Sequence, residues 1–176
     1  YDIHQTSQLR LRDISDLEGA PYTGEGMTNN LSAEIISDLI QKKSNYFPSL
    51  EEAANKIILK LNKPKNINLF VPLSEYLSSE HNIRVATIPP EIKHDTIRYY
   101  DPVAKTLVIS DRLPQASRTF LVAQQMGLLL ADDEINEILD ESNIEDGEVR
   151  KLGRLALSNY FAGAIILPYD NFFEQA

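Results

Sequence analysis

The sequence predicts an α+β domain in which helices pack around a small three-stranded, mainly antiparallel sheet. Long stretches have apolar residues at helical spacing, three short β-branched runs lie together mid-chain, and 43% apolar content over 176 residues suits one core. Two independent cores in that length are not expected.

Residues 1–30 hold Gly19, Pro21, Gly24 and Gly26 among polar residues without sustained periodicity, which reads as a linker or arm, with the domain proper over 31–176. Leu31, Ile35, Ile36, Leu39 and Ile40 then give a helical stripe. A second stripe, Leu50, Ala53, Ala54, Ile57, Ile58 and Leu61, follows the Pro48-Ser49 start signal. A short helix through Tyr76 and Leu77 leads to the β-branched run Ile83 to Ile88, which ends at Pro89-Pro90. Thr96 to Tyr100 and Thr106 to Ser110 flank Asp101-Pro102-Val103-Ala104-Lys105, the pattern of a hairpin with a proline-containing turn. Helices are expected over about 114–131, 132–142 and 147–166, and Pro168 opens a last short segment.

Composition excludes several classes. Seventeen basic against 26 acidic residues, a net charge of -9, repels a phosphate backbone, so any DNA contact must come from elsewhere. Without cysteine there are no disulfides and no thiolate-held iron-sulfur cluster. No long apolar run or signal-peptide pattern appears, which reads as a cytoplasmic protein with no membrane partner.

Arg118-Thr119-Phe120-Leu121-Val122-Ala123-Gln124-Gln125-Met126-Gly127-Leu128 has the frame of a zinc-peptidase helix. In HExxH, two histidines four residues apart bind zinc from one helix face and the glutamate activates the metal-bound water. Gln124, Gln125 and Leu128 stand in those places. Neutral amides are poor zinc ligands and no general base, and leucine offers a metal nothing. No catalytic residue and no metal ligand is therefore expected.

Arg118, Phe120, Ala123 and Gly127 resemble the first signature of the ImmA/IrrE metallopeptidase-like family, and Ser158-Asn159-Tyr160-Phe161-Ala162 through Pro168 resembles its second. The family's third metal ligand is an acid shortly before that Asn, but Lys151 to Leu157 contains none. The chain resembles the ligand-sensing domain of the short-chain fatty-acyl transcriptional regulators, over roughly residues 34–168, including Ser44-Asn45-Tyr46-Phe47-Pro48 and Arg98-Tyr99-Tyr100-Asp101-Pro102. That resemblance implies a degenerate zincin-like fold, coenzyme A or a short-chain acyl-CoA as ligand with no obligatory cofactor, and a symmetric homodimer. It also implies DNA binding through an N-terminal helix-turn-helix domain absent from this chain, as expected if the chain is a fragment of a longer regulator.

A coenzyme A ligand asks for cations at its phosphates, aromatic or apolar surface for adenine and a narrow acyl slot. Arg98, Tyr99, Tyr100, Arg118, Phe120 and Gln124 are the candidate ligand-binding residues. Each has a plainer alternative. Strand alternation puts Arg98 and Tyr100 on one face and Tyr99 on the other, so a tyrosine can be packing alone. Arg118 can pair with Asp111, Gln124 and Gln125 can be ordinary helix residues, and Lys105 in its turn reads as solvated. His4, His81 and His94 lack metal-ligand spacing, and Asp132-Asp133-Glu134 reads as a helix N-terminus. A purely structural dimerisation module, with Met126, Leu128, Leu129 and Leu130 filling the old site, is the main rival; a metallopeptidase is the weaker one.

Overall fold

The computed structural model describes residues 26–61, 68–88, 97–145 and 147–167. The expected arm lies mostly outside these residues, as do Pro89-Pro90, His4, His94 and the segment after Leu167.

Helix α1 (Gly26–Lys42) begins inside the stretch read as an arm and buries Ile36 and Leu39. It ends where Ser44 and Asn45 adopt left-handed φ values of 54° and 55°, and Asn45 N–H closes the turn on the Ile40 carbonyl at 2.9 Å. Helix α2 (Pro48–Lys60) starts with proline in its first turn, where the missing N–H costs nothing and φ is pre-set. It buries Leu50, Ala54 and Ile57. Ahead of helix α3 (Phe70–His81), Asn68 turns the chain into its first residue, its Oδ1 accepting the Phe70 N–H at 2.8 Å. Its end is fixed by Asn82 at φ 54°, which lets Ile83 N–H reach back to the Leu77 carbonyl at 2.9 Å.

Three strands follow: β1 (Arg84–Ile88), β2 (Arg98–Asp101) and β3 (Thr106–Ser110), in spatial order β1-β3-β2. The β2–β3 hairpin is antiparallel, with Asp101 Oδ1 accepting from Val103 N–H at 2.9 Å and Ala104 N–H at 3.1 Å in the turn. The β1–β3 pair is parallel, running from Arg84 opposite Thr106 to Ile88 opposite Ser110. The α+β class holds, but the sheet is mixed rather than mainly antiparallel. Its centre is β3, whose Leu107 and Ile109 are fully buried, and β2 is an edge in space although second in the chain.

Helices α4 (Gln115–Leu130), α5 (Asp132–Glu141) and α6 (Gly147–Ile166) complete the fold close to their expected limits. Helix α6 is the hub, packing against α1, α2, α4 and α5. Two glycines permit these approaches. A Cβ on Gly127 would stand 3.0 Å from Cδ1 and 3.2 Å from Cβ of Phe161, and one on Gly153 would stand 2.6 Å from Cδ2 of Leu139. Asp132, Asn136 and Asp140, four residues apart along one face of α5, meet the arginines of α6. Arg154 reaches Asn136 Oδ1 at 2.8 Å and Asp132 Oδ1 at 2.5 Å, and Arg150 reaches Asp140 Oδ1 at 2.8 Å. The acidic stretch thus serves the helix start and an interhelical clasp together.

Candidate functional site

Helix α4 crosses one face of the sheet, so residues that share that face with Leu107 and Ile109 point toward it. The antiparallel register sets Arg98 opposite Ile109 and Tyr100 opposite Leu107. Both therefore face α4, while Tyr99 turns to the other face, where it is 56% exposed.

Gln124 is only 1% exposed, so both ends of its amide need partners. Its Oε1 accepts from Arg98 Nη1. Its Nε2 donates to Asn159 Oδ1 on α6. A strand, the altered peptidase helix and the second motif helix thus meet through three polar side chains, the buried Gln124 between the half-buried Arg98 and Asn159. Asn159 Nδ2 is covered and has no hydrogen-bond partner among the described residues. Gly127, one turn beyond Gln124, and Phe161, two residues beyond Asn159, set how closely the two helices approach at this point.

Arg118 stands apart from that trio. Its Nη1 lies 3.2 Å from Asp111 Oδ1 and its guanidinium 5.8 Å from the Phe70 ring centre, while its covered Nε has no partner among the described residues. Phe120 is half-buried and packs on the core, as does Tyr100. Met126 is fully buried and belongs to the core, whereas Leu128 and Leu155 are only partly covered. Lys105 is exposed in its turn at φ 48°. His81 packs its ring 5.4 Å from Tyr76. Among the described residues no group of three His, Cys, Asp or Glu side chains is placed to hold a metal ion, and no helix is long and apolar enough to cross a membrane.

The structure thus joins Arg98 and Gln124 and separates Tyr99 and Arg118 from them. Sequence reasoning quoted Asn159 as part of a motif but did not place it among the site residues. The available signal was an amide on a helix whose neighbours Leu155, Ala156, Leu157, Phe161 and Ala162 are apolar. Tyr160 was missed as well. Its hydroxyl donates to Glu51 Oε1 at 2.6 Å and accepts the Phe47 N–H at 3.3 Å, tying α6 to α2. Burial first, and the bond to Glu51 second, push this phenol well above its ordinary range.

Chemically, the trio offers a cation and amide donors, and no base or nucleophile. Residues 78–176 match the IrrE N-terminal-like domain. The HTH-type transcriptional regulator RamB of Mycobacterium tuberculosis is 29% identical over 143 residues, covering 81% of this chain and 30% of that protein. The propionyl-CoA carboxylase regulator of Cereibacter sphaeroides is 34% identical over 166 residues, covering 94% of this chain and 32% of that protein. A solved Mycobacterium tuberculosis transcriptional regulator superposes with a TM-score of 0.74 at 28% identity, over 82% of this chain and 43% of that one. The chain spans about a third of the length of these curated relatives.

Proposed function

Because the chain belongs to the IrrE N-terminal-like domain family, with transcriptional regulators among its relatives, we propose that it is the effector-sensing domain of a cytoplasmic bacterial transcriptional regulator. In this reading it binds coenzyme A or a short-chain acyl-CoA in a former zinc-peptidase pocket and so controls genes of fatty-acid, propionate or acetate metabolism. It performs no catalysis, and DNA is read by a helix-turn-helix domain elsewhere in the regulator. The observation that carries the reading is the trio Arg98, Gln124 and Asn159, a cationic, donor-rich cluster centred on Gln124, where the family's signature has its metal histidine. Such a site suits an oxygen-rich anionic ligand and disfavours a metal cation. The name of one relative, a propionyl-CoA carboxylase regulator, points to the same ligand class.

Calorimetric titration of the purified chain with propionyl-CoA tests this, with Arg118→Ala beside the wild type. Arg118 is the proposed phosphate contact. Truncating one partner of such a charged contact costs about 2 kcal/mol, or about 30-fold in affinity. No heat with the wild type, alongside native mass spectra showing no adduct, overturns the reading. Equal affinity of the two proteins moves the phosphate contact from Arg118 to Arg98. A ligand-free dimerisation module is the second reading, favoured by the mutual hydrogen bonding of the trio. We also propose a symmetric homodimer, since regulators reading paired half-sites mirror operator symmetry. Light scattering is expected to give twice the chain mass, and a monomer mass at all concentrations overturns it.

A further inference from the structure

We infer that Asn159 recognises the acyl oxygen of the ligand, donating from Nδ2 to a carbonyl or carboxylate oxygen; this rests on the acyl-ligand reading above. The argument is one of direction. A guanidinium has donors only. Its bond to Gln124 therefore fixes which end of that amide faces Arg98: the oxygen turns to the strand and the nitrogen to α6. Gln124 Nε2 then donates to Asn159 Oδ1, and the same logic fixes the second amide. Its oxygen is taken, and its nitrogen is the end of the chain. Three side chains thus form a one-way relay of donation that starts on a cation and finishes on an N–H.

The last donor in the relay is also the one with no acceptor among the described residues, and it is covered from water. Polarisation passes along hydrogen-bonded chains, so an amide fed by a guanidinium donates more strongly than an isolated one. A cation is the wrong occupant for such a position, because it would meet a donor. Of the acceptors on an acyl-CoA, the multiply charged phosphates lose too much hydration to be held by one buried N–H. A single acyl oxygen is matched to a single donor.

The test compares propionyl-CoA with S-propyl-CoA, a thioether that differs by the acyl oxygen alone, by calorimetry on the whole chain. Sodium propionate is a third arm, to separate a thioester source from a free carboxylate. Propionyl-CoA is expected to bind about tenfold tighter than the thioether, the loss of one hydrogen bond from a buried donor. Asn159→Asp keeps an oxygen for Gln124 Nε2 and replaces the terminal donor with an acceptor. It is expected to abolish the preference, with thermal unfolding as the folding control. Equal affinity of the wild type for propionyl-CoA and S-propyl-CoA overturns this inference and leaves the acyl-CoA reading standing. Binding of propionate alone, lost in Asn159→Asp, supports the inference and overturns coenzyme A as the carrier. Binding of none of the three compounds overturns both.

Discussion

Tyr160 shows what one side chain contributes at the residue scale. Its ring meets Phe47 edge-on at 5.0 Å while its hydroxyl bonds Glu51 and the Phe47 N–H. The folded chain holds the phenol above the unfolded value of about 10, so it contributes stability that is fully present below about pH 10 and is lost as pH rises beyond it. Urea denaturation at neutral pH and at about pH 10.5 checks this. The wild type is expected to lose stability between the two conditions, and Tyr160→Phe to lose less, after starting about 1 kcal/mol lower at neutral pH. Equal losses would assign the alkaline effect to other groups, of which Tyr76, also raised by burial, is the first candidate. The site was partly legible at this scale. That a buried Gln124 needs partners follows from its place on an inward helix face, but Arg98 and Asn159 lie 26 and 35 positions away, and no local pattern connects them.

Elements were the most readable level, because helical spacing and start signals such as Pro48 act within a few residues. The β2–β3 hairpin was legible for the same reason, since Asp101 builds its own turn. The parallel β1–β3 pairing was not, because the choice of neighbour is made by packing between segments distant in the chain. The start of α1 at Gly26 was likewise hidden by glycine and polar residues that argue for a linker. The meeting of α4 and α6 yields a further expectation. Gly127→Ala gains about 1 kcal/mol of helix preference but drives a methyl against the ring of Phe161, and overpacking of this kind costs about 1 to 3 kcal/mol. A net loss of about 1 kcal/mol is expected in chemical denaturation, largely recovered in combination with Phe161→Leu. A stabilised Gly127→Ala would mean that Phe161, although fully buried, can give way.

Across the whole molecule, the class and the family were legible while the internal wiring was not. A net charge of -9 is a property of the sum, and it bears on the domain as a unit: the acidic domain does not itself attract DNA. The hub position of α6 is also a property of the sum, and it carries a consequence for how the chain is made. Helices α1, α2, α4 and α5 all lean on residues 147–166, the last of the described helices to be synthesised. At roughly 5 to 20 residues per second, the ribosome leaves those earlier faces unpartnered for several seconds before their common support emerges. A nascent chain stalled before Gly147 therefore presents the apolar faces of those four helices without their common support.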